Sequence, residues 1–123
     1  MVSSLKVMII EDSEELVEVW RTLFRATTNY KLRCCLSGQA AREAIHGGFK
    51  PNLVITDYYL GDSTGVELFN ELKVSLPDTK FVMVTGNHED EEMLRLHQSG
   101  SFPLLLKPVK FDTLQKTINL AIS

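Results

Sequence analysis

The sequence has few of the features that mark specialised protein classes. Its 123 residues include only two cysteines and one tryptophan. No apolar run approaches the ~20 residues that a membrane-spanning helix requires. Cys34 and Cys35 are adjacent in a strand-like segment, where a mutual disulfide would be strained, and no second Cys or His pair stands at zinc-ligand spacing. We therefore expect reduced thiols and a soluble protein of the cytoplasm, without a membrane partner.

An excess of positive charge is also missing. Thirteen basic and sixteen acidic residues give a formal net charge of −3, so the overall balance does not favour direct binding to nucleic acid. The hydrophobic content of 44% is enough to build a core without disulfides or a structural metal. We expect residues 1–123 to form a single domain.

Segments with strand and helix patterns alternate along the chain. Ser13 and Ser37 precede helical patterns as N-caps, Gly47 and Gly48 end the second helix, and Pro77 ends the third. The predicted strands are Leu5–Ile10, Lys31–Leu36, Leu53–Thr56, Lys80–Val84 and Pro103–Leu106. The predicted helices cover about 14–26, 38–46, 66–76, Glu89–Gln98 and 111–122. The fourth helix has only a ragged apolar face, and we expect it to be the least firmly packed.

This alternation predicts a (βα)5 doubly wound parallel sheet, an α/β fold of the flavodoxin-like type. Functional sites in such folds lie beyond the carboxyl ends of the strands. Four of the five predicted strands end in side chains that can do chemistry, namely Glu11 with Asp12, Asp57, Thr85 and Lys107. If these ends are to converge, the strand order must be 2-1-3-4-5. Basic residues alternating in the second strand and Pro103 in the fifth agree with edge positions.

Carboxylates that share one crevice repel one another unless a cation lies among them. Glu11, Asp12 and Asp57 offer hard oxygen ligands that suit Mg²⁺. A carboxylate held against Mg²⁺ can attack a phosphoryl group, with Lys107 and the Thr85 hydroxyl as partners for the phosphoryl oxygens. Each residue alone also has an ordinary interpretation, as a helix cap, a loop aspartate or a surface lysine.

The ordered motifs resemble the receiver domain of two-component response regulators, typified by the chemotaxis regulator. The resemblance covers essentially the whole chain and is carried by Ile-Ile-Glu-Asp, Val-Ile-Thr-Asp with Leu60 and Gly65, Val-Thr-Gly, and Leu-Leu-Lys-Pro. It implies that Asp57 is a phosphoacceptor and not the nucleophile of a turnover enzyme. The expected phosphodonor is a sensor histidine kinase or a histidine phosphotransfer protein.

The resemblance also assigns roles around Asp57. Asp12, Asp57 and the backbone carbonyl of Tyr59 would bind Mg²⁺ directly, and Glu11 would act mainly through bound water. Thr85 and Lys107 would contact the phosphoryl group, and Thr85 would carry the switch. The Lys107–Pro108 peptide bond is expected to be cis.

The signal would leave through the face formed by the fourth helix, the fifth strand and the fifth helix. Its partner would be an output protein or an effector domain absent from this sequence, and dimerisation on phosphorylation is a further expectation. The chain departs from the family pattern at Leu104, where an aromatic residue is usual, so we expect weaker coupling to this face. Tyr59 and Asn87 occupy positions that tune hydrolysis of the aspartyl phosphate, and bulky Tyr59 favours a long-lived phosphoform.

Three alternatives share parts of this pattern. A Mg²⁺-dependent phosphohydrolase of the haloacid dehalogenase type would place its nucleophile after the first strand, with a second acid two residues later. A flavodoxin-type cofactor carrier would need a phosphate-cradling loop there, where Glu11 and Asp12 would repel phosphate. A receiver-like scaffold that acts without phosphorylation is disfavoured because all five site positions hold competent residues.

Overall fold

The computed structural model describes residues 4–87 and 90–123. Within these ranges, strands and helices alternate from end to end, as the sequence predicts. The elements are β1 (Lys6–Ile10), α1 (Glu14–Thr27), β2 (Lys31–Cys35), α2 (Gly38–His46), β3 (Leu53–Asp57), α3 (Gly65–Ser75), β4 (Lys80–Thr85), α4 (Glu91–Gln98), β5 (Leu104–Leu106) and α5 (Phe111–Ile122).

The strands form one sheet in the order β2-β1-β3-β4-β5. Every pairing in it is parallel. The predicted fold class and strand order are confirmed, and β2 and β5 lie at the edges. The order leaves β1, β3, β4 and β5 as consecutive neighbours, so their carboxyl ends meet at one edge of the sheet.

The core lies on both faces of the sheet. Met8, Val54 and Met83 face a cluster beneath α2, α3 and α4, whereas Val7 and Ile55 face a cluster beneath α1 and α5. All residues of β3 are buried, which explains its uninterrupted apolar run. The edge strand β2 alternates between exposed and half-buried positions before its last residue.

Polar side chains cap the helices as expected from the sequence at two positions. The Ser13 hydroxyl accepts from the Leu16 N–H, and the Ser37 hydroxyl accepts from the Ala40 N–H. Thr64 caps α3 in the same way, accepting from the Glu67 N–H.

The predicted start of α4 is wrong. Glu89 lies outside the described residues, and the helix begins at Glu91. Asp90 has an extended backbone, with φ −74° and ψ 119°, because it serves as the N-cap and its carboxylate accepts from the Met93 N–H. Met93 is the only fully buried residue of this helix.

Each of the five strands differs from its predicted bounds by one residue at one end. β1 begins at Lys6 and β2 ends at Cys35, so both are one residue shorter than predicted. Asp57 is the last residue of β3 and pairs with Val84, and Thr85 is the last residue of β4 and pairs with Leu106. Pro103 lies just before β5, where its carbonyl accepts from the Met83 N–H although it has no N–H of its own. Asp57 and Thr85 are therefore held by the sheet itself.

Cys34 and Cys35 are both free thiols, Cys34 half-buried and Cys35 buried, as the sequence predicts. Across residues 4–87 and 90–123, no helix combines the length and the apolar character needed to cross a membrane.

Candidate functional site

The sequence-predicted residues lie together at the carboxyl edge of the sheet. Glu11 directly follows β1, Asp57 ends β3, Thr85 ends β4 and Lys107 directly follows β5. The Lys107 N–H donates to the Thr85 carbonyl at 2.8 Å, which continues the sheet pairing by one step beyond β5. The convergence expected from the strand order is therefore present.

Lys107 joins two buried carboxylates. Its Nζ lies 2.9 Å from Glu11 Oε1 and 3.0 Å from Asp57 Oδ1. The side chains of Glu11 and Asp57 are only 4% and 6% exposed, whereas that of Lys107 is 35% exposed. Glu11 is held further because its Oε2 accepts from the Ser13 N–H at 3.0 Å. One lysine thus faces two carboxylates in a site largely screened from water.

Glu11, Asp12 and Asp57 could hold a metal ion. Each offers one carboxylate oxygen, and these oxygens lie within 4.8 Å of one another. Asp12 is exposed while the other two are buried, so the cluster opens to solvent on one side. Hard oxygen donors with room for retained water are what Mg²⁺ requires, and the donor set fits that ion.

Burial and the hydrogen bond between the two buried acids shift their pKa values in opposite directions. Burial raises the pKa of Asp57 to about 8, and its hydrogen bond with Glu11 adds to this, against the opposing effect of Lys107. Burial alone would raise the pKa of Glu11, but its hydrogen bonds with Asp57, Ser13 and Lys107 lower it to about 2. Without a metal ion, the two pKa values are therefore pushed apart, upward for Asp57 and downward for Glu11.

Lys107 keeps its positive charge because of the same carboxylates. Burial by itself would lower the lysine pKa, but its hydrogen bonds with Glu11 and Asp57 outweigh this effect and raise it. The pKa of Asp12 is also raised, first by its hydrogen bond with Glu11. Lys107 is therefore a fixed positive charge beside Asp57.

An open crevice of about 300 Å³ lies over Asp57. Its lining includes Asp57, Tyr58, Tyr59, Thr85, Asn87 and Lys107. The Thr85 hydroxyl accepts from the Asn87 N–H at 3.3 Å, and the Tyr59 side chain is 70% exposed. The crevice opens the Asp57 carboxylate to a small group from solvent.

A second cavity, of about 380 Å³, lies on the α1 and α5 side of the same carboxylates. Its walls are mainly apolar and include Trp20, Leu114 and Val109, and it shares Glu11, Asp57 and Lys107 with the site. The site therefore has a solvent-open side and a largely apolar side.

The loop from β3 to α3 is anchored at its far end in a way that the sequence did not reveal. The Asp62 carboxylate accepts from the N–H groups of Gly38 and Gln39, at 3.0 and 2.9 Å, at the start of α2. These two hydrogen bonds lower the pKa of Asp62. Leu60 is buried, and Gly61 adopts a φ of +86°, which favours glycine. The loop is pinned to α2.

Tyr58, directly after Asp57, contacts α4. Its hydroxyl donates to Asp90 Oδ2 at 2.8 Å, while Asp90 Oδ1 accepts from the Met93 N–H at 2.7 Å. The hydrogen bond with Asp90 raises the pKa of Tyr58 to about 12. Sequence analysis missed this pair, although the acidic Asp-Glu-Glu run at the start of the fourth helix is a typical N-cap signal.

Leu104 is the first residue of β5, three positions before Lys107, and Pro108 directly follows the lysine. Leu104 is half-buried and packs against the core cluster that contains Met93 and Phe102, on the α4 side of the sheet. The Lys107–Pro108 peptide bond is cis.

A doubly wound parallel sheet with clustered carboxylates and a lysine at its carboxyl edge defines a flavodoxin-like α/β domain with a cation-competent acidic site. The family model of the response regulator receiver domain matches residues 7–119, and the chain belongs to that family. Response regulator receiver domains are signalling modules of two-component systems and not turnover enzymes, and Mg²⁺ and phosphorylation are general features of the family.

Curated relatives are response regulators. The chain is 28% identical over 116 residues to the response regulator protein VraR of Staphylococcus saprophyticus, covering 93% of this chain and 54% of the relative. It is 26% identical over 118 residues to the transcriptional regulatory protein DpiA of Escherichia coli, covering 96% and 52%. The chain spans about half the length of these relatives.

Solved receiver domains share the fold. A CheY-like receiver domain protein from Methanospirillum hungatei superposes with a TM-score of 0.87 at 22% identity, over 98% of this chain and 94% of the other. A receiver domain protein from Clostridium thermocellum gives a TM-score of 0.83 at 23% identity, over 96% and 94%.

Proposed function

We propose that this domain takes a phosphoryl group onto Asp57 from a phosphohistidine of a sensor histidine kinase or a histidine phosphotransfer protein, in a Mg²⁺-dependent reaction. The observation that carries the proposal is the cluster of three carboxylates within 4.8 Å of one another, with Lys107 Nζ 3.0 Å from Asp57 Oδ1. Membership of the receiver family supports it.

Glu11, Asp12, Asp57 and the backbone carbonyl of Tyr59 would hold the metal ion, Glu11 mainly through bound water. Buried Glu11 already engages Ser13 and Lys107, which agrees with an indirect role, whereas Asp12 is exposed and open to a ligand. When bound, the ion neutralises the carboxylates and the incoming phosphoryl oxygens and so lowers the repulsion between them.

In the transfer, an oxygen of ionised Asp57 attacks phosphorus, and the bond from phosphorus to the imidazole nitrogen of the donor breaks. The leaving imidazole keeps the bonding electron pair and takes up a proton. Lys107 balances charge on one phosphoryl oxygen, and the Thr85 hydroxyl donates to another. Thr85 reaches this position by giving up the hydrogen bond that it accepts from the Asn87 N–H.

The output surface is the face formed by α4, β5 and α5. Phosphorylation shifts the population between two packings of this face, which then binds an output protein or an effector domain, or a second copy of the domain. Leu106 and Leu120, 48% and 79% exposed, lie on these elements. Leu104 has no hydroxyl whose exposure could change with the state of this face. We therefore expect a Leu104→Tyr variant to bind its partner with greater phosphorylation dependence than wild type.

The test uses acetyl phosphate as a small phosphodonor and intact mass as the readout. Wild type with Mg²⁺ should gain one phosphoryl group, and the gain should disappear with EDTA or in Asp57→Asn. Asp78→Asn, which changes an exposed aspartate on the α3–β4 turn, is the matched control and should be phosphorylated like wild type. No adduct on wild type, or an adduct that survives in Asp57→Asn, would refute the proposal.

A further inference from the structure

The residue after the acceptor makes a direct contact with the helix that is expected to move. Tyr58 O–H donates to Asp90 Oδ2 at 2.8 Å, across 32 positions in sequence. Asp90 uses its other oxygen to cap α4 through the Met93 N–H at 2.7 Å. One carboxylate therefore holds the first turn of α4 and binds it to the acceptor loop.

Tyr58 is itself fixed from three sides. Its N–H donates to the Val84 carbonyl at 2.7 Å, and its carbonyl accepts from the Gly65 N–H at 2.6 Å. Its ring packs, partly buried, against the core cluster on the α3 and α4 side of the sheet. The far end of the same loop is held to α2 by Asp62. The loop is thus a rigid support against which α4 is positioned.

The other attachments of α4 are few among the described residues. Met93 is its only fully buried side chain. Asn70 Nδ2 donates to Glu92 Oε2 at 3.2 Å in an exposed hydrogen bond, and His97 Nδ1 lies 2.9 Å from the Phe102 carbonyl near the other end of the helix. Leu96, partly buried, also packs against the core cluster. With a single fully buried side chain, one hydrogen bond at the N-terminus carries a substantial share of the positional restraint of this helix.

We infer that the Tyr58–Asp90 hydrogen bond restrains the first turn of α4 in the unphosphorylated domain and so sets the energy of the switch. This inference rests on the proposed function, because it concerns the response to phosphorylation of Asp57. Tyr58 is a positioning residue, because its hydroxyl is bonded to Asp90 and acts through α4. Its hydroxyl links the loop that follows Asp57 to the output face. Leu104, which packs on the α4 side of the sheet, has no hydroxyl that could make such a link.

Two substitutions remove the bond from opposite ends. Tyr58→Phe removes only the hydroxyl. Asp90→Ser keeps an N-cap oxygen for the Met93 N–H but leaves no second oxygen for Tyr58. Tyr30→Phe is the matched control, since the Tyr30 hydroxyl accepts from Gln115 Nε2 at 2.9 Å on the α5 side, away from α4.

The first readout is amide hydrogen exchange without a phosphodonor. A hydrogen bond of ordinary strength changes an opening equilibrium by about twofold to tenfold. Tyr58→Phe and Asp90→Ser should each speed exchange in the first turn of α4 by that factor. The double variant should exchange no faster than the single variants, because both act on one bond. Tyr30→Phe should exchange like wild type in α4.

The second readout is the rate of phosphorylation by acetyl phosphate with Mg²⁺. Loss of the restraint raises the fraction of molecules in the competent arrangement, so the rate should rise by the same about twofold to tenfold. A merely structural hydrogen bond would speed exchange and leave this rate at the wild-type value, which would overturn the inference. A slower rate would also overturn it, because the bond would then support the phosphorylated arrangement.

The two proposals fail in different ways. Absence of a phosphoryl adduct on wild type would refute the proposed function and with it the link between the bond and phosphorylation. Unchanged exchange in α4 of both single variants would refute the restraint itself, whether or not wild type is phosphorylated.

Discussion

Replacing Asp57 by asparagine should stabilise the metal-free domain at alkaline pH. Asp57 is only 5% exposed and shares a single lysine with Glu11. Its pKa is raised from the ordinary 3.8 to about 8, mainly by burial, and that of Glu11 is lowered from 4.5 to about 2 by its hydrogen-bond partners, against burial. One pKa unit corresponds to about 1.4 kcal/mol, and the two effects oppose each other. Ionised Asp57 therefore destabilises the folded protein, by at least the ~1.4 kcal/mol that one pKa unit represents.

The sign of the pH dependence follows from the direction of the Asp57 shift. The folded protein holds a proton on Asp57 that the unfolded chain has lost, because the pKa rises from 3.8 to about 8 on folding. The stability that this group contributes is present below about pH 4 and is lost as the pH rises through about 8. Asparagine cannot ionise, so Asp57→Asn escapes this loss.

Urea unfolding followed by circular dichroism in EDTA measures the effect. At pH 9 the variant should be more stable than wild type by at least about 1.4 kcal/mol, the equivalent of one pKa unit, and the difference should shrink as the pH falls toward 5. Mg²⁺ should stabilise wild type and leave the variant nearly unchanged. Asp78→Asn is the control and should match wild type at both pH values. A variant no more stable than wild type at pH 9 would refute the unfavourable burial of Asp57.

Three further outcomes are expected. Mg²⁺ binding should release a proton below about pH 8, where metal-free Asp57 is protonated. The apparent affinity for Mg²⁺ should therefore rise with pH and level off above about 8. Calorimetry in two buffers of different ionisation enthalpy would detect the released proton. Gly65→Ala should lower the free energy of unfolding by about 1–3 kcal/mol, because a Cβ there would meet the Asp57 carbonyl and the Met83 sulfur. Gly86→Ala is the control, since it adds a Cβ into open space. Equal urea midpoints for the two variants would contradict this prediction. Tyr59→Ala should lose its phosphoryl group faster than wild type in a mass time course, and slower loss would show that Tyr59 does not shield the phosphoryl group.

The parts of the fold set by local chemistry were predictable. Buried β3 has an unbroken apolar run, and Ser13 and Ser37 stand where helix caps are needed. The polar residues at four strand ends were enough to predict the strand order. They can form one site only if their four strands are neighbours in the sheet, which places the remaining strand at the edge. The same reasoning brought Glu11 and Asp57 to Lys107.

What the sequence did not reveal depends on contacts between distant segments. Tyr58 reaches Asp90 across 32 positions, and Asp62 reaches Gly38 across 24. Neither partner follows from periodicity, because a loop residue has no fixed direction until the loop is folded. The start of α4 was misplaced for a related reason, since a run of acidic residues leaves open which of them is the cap and which are helical. Asp90 becomes the cap only when its carboxylate turns back to the Met93 N–H.

The most direct test of Asp57 as the phosphoacceptor is to identify the side chain that becomes phosphorylated. The domain would be incubated with acetyl phosphate and Mg²⁺, the acyl phosphate reduced with borohydride, and the digested peptides sequenced by mass spectrometry. We expect the reduced residue to be Asp57 alone. Modification of Asp12 or another carboxylate in its place, or no modification at any residue, would contradict it.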